Sequence, residues 1–207
     1  MKKILLSTFG FGLLAFSFVN AAILQDAIQW GYDEGLTSFS TSSTFRPNDT
    51  LRRDESAKFF VEFARLQNTI TNLSYNLNCD FRDINLSRSD LRTYVSNACQ
   101  MGFLKGSNGH VMPDQRLTNA QAITIVVRIL DNGRLQSETN VSHRADNYYK
   151  RAQDLWLDLT HFWSKDTATT RGNVMMLLYA ASGGRIGTTW NNDMDRILQE
   201  LLDILNE

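Results

Sequence analysis

The segment VMPDQRLTNAQAITIVVRIL, residues 111–130, contains a proline loop followed directly by the start of a helix. Thr118 and Gln121 have the spacing of a capping box, in which two side chains bond the first free backbone groups of a helix. Beyond them the apolar residues recur every three or four positions, which predicts one buried helical face: Ala122, Val126, Ile129 and Leu130. The segment therefore predicts a loop followed by an amphipathic helix.

The same unit occurs three times, each time after another amphipathic helix. Arg53 lies 66 residues before Asn119 at the equivalent helix start, whereas Arg171 follows Asn119 by only 52 residues. We predict repeat 1 over residues 22–68, repeat 2 over 79–132 and a trimmed repeat 3 over 146–184, joined by polar linkers. The other apolar faces are Leu24, Ala27, Ile28 and Gly31; Ala57, Phe60, Val61 and Ala64; Leu91, Tyr94, Val95 and Ala98; Tyr148, Ala152, Leu155 and Leu159; and Val174, Leu177, Leu178 and Ala181.

These helical periods and the low proline content predict a mainly all-α protein. Residues 191–207 are predicted to form a further amphipathic helix, with leucines and isoleucines on one side. Its simplest role is to cap an exposed repeat face, as terminal repeats require. The alternative is that this helix binds a protein partner.

The N-terminus has the three parts of a secretory signal peptide, which we place at residues 1–21. Lys2 and Lys3 precede an apolar run, and small residues then stand at a cleavage site after Ala21 or Ala22. The run is shorter than the ~20 residues that a membrane-spanning helix needs, so a membrane anchor is the weaker interpretation. No later segment is apolar enough to span a bilayer, and we expect an exported protein.

Export affects how the charge and the two cysteines are interpreted. Without Lys2 and Lys3 the chain has 19 basic and 22 acidic side chains, a balance that argues against nucleic acid as a partner. Cys79 and Cys99 are the only cysteines, and an even pair in an exported protein favours a structural disulfide. Metal binding is less favoured, because the three histidines lack ligand spacing with these cysteines. We expect neither a metal nor a cofactor.

The order of these motifs resembles the S-layer homology family. That family's repeats run as Phe-x-Asp, a helix, a Gly-Ile or Gly-Leu turn, a Phe-x-Pro loop, and Thr-Arg-Ala-Glu at the start of a second helix. The matching segments are Phe81-Arg82-Asp83; Gly35-Leu36 and Gly102-Phe103-Leu104-Lys105-Gly106; Phe45-Arg46-Pro47 and Val111-Met112-Pro113; and Leu51-Arg52-Arg53-Asp54-Glu55, Thr118-Asn119-Ala120-Gln121 and Thr170-Arg171-Gly172-Asn173. Repeat 1 departs from the pattern in lacking Phe-x-Asp, and repeat 3 lacks the glycine turn and the proline loop. Gly35, Gly102 and Gly106 are predicted to occupy positions that need a positive φ.

The resemblance implies a pseudo-threefold, three-lobed bundle. It also implies a protein of the bacterial cell surface, cell wall or S-layer that binds cell-wall-linked polysaccharide, often carrying anionic pyruvylated sugars. Its ligand grooves would lie between lobes and contain the motif arginine, which is Arg53 or Arg171 here and is replaced by Asn119 in repeat 2. Fewer than three working grooves are therefore expected.

The chemistry of the arginines and tryptophans suits such a ligand. A guanidinium can grip a carboxylate through two parallel hydrogen bonds, and an aromatic face can cover the apolar side of a sugar ring. Trp30 and Trp163 lie beside loops and are the preferred stacking candidates, whereas Trp156 is expected in the core. The alternative for Arg53 and Arg171 is a structural, solvent-exposed salt bridge, for example with Asp54 or Glu55.

Nothing in the sequence indicates an enzyme. It contains no Gly-x-Ser-x-Gly elbow, no His-Glu-x-x-His and no glycine-rich phosphate loop, and no pair among its many acids is singled out. The leading hypothesis is a non-catalytic glycan-binding protein of the cell envelope. The competing hypothesis is an exported protein–protein adaptor, or a self-assembling surface-layer component, that has lost sugar binding.

Overall fold

The computed structural model describes residues 8–69, 79–131 and 142–184. This part of the chain is mainly helical and contains no β-strand, so the predicted all-α class is confirmed. The predicted C-terminal helix, residues 191–207, lies outside the described residues. Within the described ranges the α-helices are α1 (Thr8–Asp33), α2 (Ser42–Phe45), α3 (Arg53–Leu66), α4 (Arg92–Gln100), α5 (Asn119–Leu130), α6 (Asp146–Asp154) and α7 (Arg171–Ala181), and a 3₁₀ turn covers Ile84–Leu86.

Helix α1 is longer than the first helix predicted for repeat 1. It begins at Thr8, so the predicted cleavage site after Ala21 or Ala22 lies inside it, and the signal peptide stays a prediction. Its C-terminal half buries Ala27 and Ile28 completely, as the periodicity predicts. Among the described residues, no helix has both the length and the apolar character needed to cross a membrane.

The helices pair in a cycle that links each repeat to the next. Helix α3 of repeat 1 packs against α4 of repeat 2, α5 of repeat 2 packs against α6 of repeat 3, and α7 of repeat 3 packs against α1 of repeat 1. Each repeat thus buries the apolar face of its second helix on the first helix of a neighbour. No repeat completes its core alone, which is the usual behaviour of repeat proteins.

A closed ring of backbone hydrogen bonds joins the three repeats just before their second helices. The N–H of Leu51 donates to the carbonyl of Thr169 (3.0 Å), that of Thr169 to Leu117 (2.8 Å), and that of Leu117 to Leu51 (2.8 Å). Two further sets run around the repeats in the opposite direction: Arg53 to Gln115, Asn119 to Thr167 and Arg171 to Asp49; and Asp54 to Pro113, Ala120 to Lys165 and Gly172 to Pro47. Each second helix therefore starts on the loop of the neighbouring repeat. The predicted three-lobed outline of the whole bundle stays a prediction.

The helix starts follow the predicted capping chemistry. The hydroxyl of Thr118 accepts the N–H of Gln121 (3.3 Å), and the Gln121 side chain accepts the N–H of Thr118 (3.0 Å), so the capping box is confirmed. Thr170 caps α7 by accepting the N–H of Asn173 (3.2 Å). In repeat 1, Glu55 supplies the returning half of the box by accepting the N–H of Arg52 (3.3 Å).

Repeat 3 differs from its prediction at the end of its first helix. Helix α6 ends at Asp154, before Leu155 and Leu159, because Trp156 adopts the left-handed conformation (φ 58°). Gly35 and Gly102 hold that conformation at the corresponding turns, as predicted, with φ of 77° and 75°. The N–H of Trp156 donates to Gln153 as the N–H of Gly102 donates to Cys99, so repeat 3 forms the same turn without a glycine.

The predicted core position of Trp156 is wrong. Its side chain is 92% exposed at the turn that ends α6. The predicted positive φ of Gly106 is also wrong, since Gly106 is absent from the left-handed region. A Cβ at that position would come within 2.4 Å of the Phe81 ring and 2.6 Å of the His110 carbonyl, so close packing excludes a side chain there.

The predicted disulfide is present between Cys79 and Cys99, with their Cα atoms 5.9 Å apart. It ties the segment that begins repeat 2 to the end of α4. The turn that follows α4, residues 101–104, is buried and forms one wall of the groove described below. The disulfide therefore stabilises a wall of that groove.

Candidate ligand grooves

The three predicted motif residues occupy the same place in the fold. Arg53, Asn119 and Arg171 are the first residues of α3, α5 and α7, and each reaches a carbonyl in the loop of the neighbouring repeat. Nε of Arg53 donates to Val111 and Nε of Arg171 donates to Phe45, both at 2.9 Å, and Val111 and Phe45 are equivalent loop positions. Nδ2 of Asn119 donates to Ser164 at 2.9 Å. These contacts join the repeats to one another.

Arg53 is buried, with 6% of its surface exposed, so the predicted alternative of a solvent-exposed salt bridge is wrong for it. Its Nη2 donates a second hydrogen bond to the carbonyl of Lys105 (3.2 Å). Burial lowers the pKa of Arg53 from its usual value, an effect that Asp83 opposes and Arg144 reinforces. The guanidinium stays charged, because the usual arginine pKa lies far above neutrality.

Arg53 forms one end of a cavity of about 280 Å³, which we call the repeat-2 groove. Its floor is one face of α5, and one wall is the turn after α4. The opposite wall is the chain just before α6. The lining residues are Arg53, Phe103, Leu104, Lys105, Ala120, Gln121, Thr124, Ile125, Arg128, Arg144 and Ala145.

Arg171 lies in an equivalent cavity of about 110 Å³, the repeat-1 groove. Here the floor is α3, one wall is the turn after α1, and the other wall is the chain before α4. The lining residues are Leu36, Thr37, Ser38, Phe39, Glu55, Lys58, Phe59, Arg88, Asp90, Leu91 and Arg171. A second cavity of about 400 Å³ adjoins it and shares Phe39, Glu55, Arg88 and Arg171.

The two grooves differ most in their charges. In the repeat-1 groove, Nη1 of Arg171 pairs with Oε1 of Glu55 at 3.3 Å, and Arg88 pairs with Asp90 at 2.8 Å. Gln121 takes the place of Glu55 at the third position of α5, and the described lining of the repeat-2 groove contains no acidic residue. For Arg171 the predicted alternative holds only in part: the ion pair is present, with Glu55 of another repeat, but the side chain is only 13% exposed.

Aromatic rings surround Arg171. Its guanidinium carbon lies 5.0 Å from the ring centre of Phe45 and 5.9 Å from those of Phe39 and Phe59, within cation–π range. Phe39 is 42% exposed and lines both neighbouring cavities, so it presents an aromatic face beside the arginine. Burial lowers the pKa of Arg171, and Glu55 opposes that shift.

The predicted tryptophans lie apart from these two grooves. Trp30 packs against Tyr179, with ring centres 5.6 Å apart, and Trp163 is 66% exposed on the loop of repeat 3. Neither side chain lines the repeat-1 or the repeat-2 groove. The aromatic residue that sequence reasoning missed is Phe39, and its position four residues after the Gly35 turn was the available signal.

Asp83 and Gln25 hold the two loops whose carbonyls accept hydrogen bonds from Arg53 and Arg171. Asp83, the acid of Phe-x-Asp, accepts the N–H groups of Val111 and Met112, both at 2.8 Å. Burial alone would raise the pKa of Asp83, but these donors outweigh it and the pKa is lowered. Repeat 1 lacks Phe-x-Asp. Its loop is held instead by Gln25, whose side-chain oxygen accepts hydrogen bonds from the N–H (3.2 Å) and the hydroxyl (2.9 Å) of Ser42.

Comparison with protein-family models finds no match for this chain, and a search of curated proteins finds none either.

Proposed function

We propose that this protein is an exported, non-catalytic component of the bacterial cell envelope that binds cell-wall-linked anionic polysaccharide, as the resemblance to the S-layer homology family implies. The observation that supports the proposal is the placement of Arg53 and Arg171. Each arginine belongs to one repeat and lines a groove whose floor is the second helix of a neighbouring repeat. Binding of a glycan there would anchor the protein at the surface.

The proposed chemistry uses both polar and apolar parts of the groove walls. Nε of each arginine is already bonded to a loop carbonyl, which fixes the guanidinium before a ligand arrives. A side chain held in this way loses little further conformational entropy on binding. A carboxylate on a sugar would pair with the guanidinium, and in the repeat-1 groove the exposed Phe39 would contact the ring's apolar side.

Export and a surface location are part of the proposal. The Cys79–Cys99 disulfide supports them, since disulfides persist in oxidising compartments outside the bacterial cytoplasm. The signal-peptide pattern of residues 1–21 supports them as well.

The test is co-sedimentation of the purified protein with sacculi that retain their pyruvylated polysaccharide. Glutamine keeps an N–H donor for the loop carbonyl but carries no charge, so the double variant Arg53→Gln, Arg171→Gln is the test protein. We expect retention to fall at least ten-fold in this variant. Sacculi stripped of polysaccharide should retain neither protein.

The matched control is the double variant Arg82→Gln, Arg116→Gln, which also removes two positive charges, from exposed residues outside both grooves. Circular dichroism establishes that all three proteins keep the same helix content. Retention of the test protein at the level of the control would overturn the proposal and favour the protein–protein adaptor instead.

A further inference from the structure

We infer that the repeat-2 groove takes a doubly charged phosphate substituent of the glycan, whereas a single carboxylate satisfies it only in part. The inference rests on the proposed function and narrows the ligand class of one of its two grooves. It arises from the cations that line this groove in addition to Arg53.

Four cationic side chains line the repeat-2 groove: Arg53, Lys105, Arg128 and Arg144. They come from all sides, because Arg53 belongs to repeat 1, Lys105 to the turn, Arg128 to α5 and Arg144 to the chain before α6. Among the described lining residues none is acidic. The repeat-1 groove has three cations against two acids, and both acids are in ion pairs with groove cations.

The inner cations of the repeat-2 groove are fixed in place. Arg128 is 8% exposed, and its Nε and Nη2 donate to the hydroxyl of Tyr148 at 3.2 and 3.0 Å. Arg53 is equally buried and bonded to two carbonyls. Burial of a cation is costly unless an anion or good hydrogen bonds compensate. Arg144 adds like-charge repulsion, which contributes to the lowered pKa of Arg53.

A phosphate monoester matches this cluster of cations better than a carboxylate does. It carries a charge of about −1.5 to −2 at neutral pH and offers three acceptor oxygens, against one charge and two oxygens for a carboxylate. Arg53, Lys105 and Arg144 line the same cavity and are the proposed partners of these oxygens. Gln121 and Thr124 add uncharged donors on the floor of the groove.

The size of the groove limits the ligand to a small part of a glycan. A cavity of about 280 Å³ lies at the lower end of the range for small-molecule sites. It suits one sugar residue with its substituent, and the rest of the polysaccharide would remain outside. Recognition would then depend on the charged substituent more than on the length of the chain.

The test compares two probes with the same hexose framework, glucose 6-phosphate and glucuronate, by isothermal titration calorimetry at pH 7.5 and low salt. We expect glucose 6-phosphate to bind about ten-fold more tightly than glucuronate. In Arg144→Gln that preference should fall to about two-fold, with little change for glucuronate. Arg116→Gln, the exposed control, should keep the wild-type preference.

Equal affinities for the two probes in the wild type would overturn the inference, as would an undiminished preference in Arg144→Gln. Absence of binding by either probe would overturn it as well. The sacculus assay separates this failure from that of the proposed function. If retention depends on Arg53 and Arg171 but the two probes bind equally, the proposal of glycan binding is supported. Only the inferred preference for phosphate is then wrong.

Discussion

The repeat-1 and repeat-2 grooves are built alike and charged differently. Both receive an arginine from a neighbouring repeat, and both have a second helix as their floor. Glu55 occupies the third position of one helix and Gln121 the same position of the other. Either residue accepts the N–H of the residue that precedes its helix, so the helix tolerates both, but only Glu55 neutralises the arginine beside it. A substitution that is silent for the fold thus changes what the groove can bind.

The walls of the two grooves are also held in different ways. The repeat-2 loop is bonded to a buried carboxylate, and the preceding turn follows a helix that ends in a disulfide. The repeat-1 loop is bonded to the neutral amide of Gln25. Hydrogen bonds to a charged acceptor are about twice as strong as neutral ones. The loop that Arg53 contacts is therefore held by the stronger hydrogen bonds.

The largest expected effect follows from removing the disulfide. The double variant Cys79→Ser, Cys99→Ser should lower the free energy of unfolding by about 3 kcal/mol, because the unfolded chain regains the entropy of a loop closed across 20 residues. Urea unfolding with and without a reductant is the measurement. The reductant should destabilise the wild type and leave the variant unchanged. A wild type that is indifferent to the reductant would contradict this prediction.

The next effect concerns Asp83. Asp83→Asn should cost roughly 2 kcal/mol of stability at pH 7, since one amide oxygen cannot accept from Val111 and Met112 as a carboxylate does. The lowered pKa of Asp83 means that its contribution is present above the ordinary aspartate value near 4 and is lost as the pH falls through the folded value. The difference between variant and wild type in urea unfolding should therefore shrink from pH 7 to pH 3.

Asp154→Asn changes an exposed carboxylate and serves as the control for this measurement. It should change stability by less than about 0.5 kcal/mol. A penalty for Asp83→Asn that stays constant with pH would show that its charge is irrelevant to the loop.

A swap at the third helix position tests the charge difference directly. Glu55→Gln releases Arg171 from its ion pair, and we expect glucuronate to bind the repeat-1 groove about five-fold more tightly, equivalent to about 1 kcal/mol. Gln121→Glu should weaken binding at the repeat-2 groove by a similar factor. Both variants keep a side-chain oxygen that can accept the N–H of the residue preceding the helix, so their stability should stay near that of the wild type. If titration calorimetry finds both affinities unchanged, the third helix position does not control the charge available to the ligand.

The smallest effect tests the turn of repeat 3 against the glycine turns of the other two. Trp156→Gly should raise stability by about 1 kcal/mol, because a left-handed residue with a Cβ carries a steric cost that glycine avoids. The exposed side chain contributes little packing that could be lost. Trp163→Gly, at an exposed tryptophan without positive φ, should give no such gain. A thermal melt of the two variants is sufficient, and equal shifts would contradict the prediction.

The elements of the fold were predictable where their causes are local. The capping residues Thr118, Gln121 and Thr170 act within three residues of themselves, and the apolar spacing of each helix is fixed by its own pitch. Trp156 shows the limit of this reasoning. An apolar residue next to a helical stripe indicates burial, yet the turn geometry that it shares with Gly102 directs it into solvent.

The candidate site was predictable only in part. The positions of Arg53 and Arg171 at helix starts follow from the motif, and the structure places both in grooves. Trp30 and Trp163 were chosen for their nearness to loops, but a sequence does not specify which loop faces which helix. Phe39, Arg144 and Lys105 enter the grooves because the repeats pack in a cycle.

The sequence by itself determined the helices and their caps, because these depend on neighbours in the chain. It also determined the disulfide pairing, because the chain has only two cysteines. Only the tertiary structure decided that Arg53 meets Val111, 58 residues away, and that Glu55 meets Arg171, 116 residues away. Those partners are set by the order in which three similar repeats close on one another. The charge of each groove is consequently a property of the packed repeats and not of any one repeat.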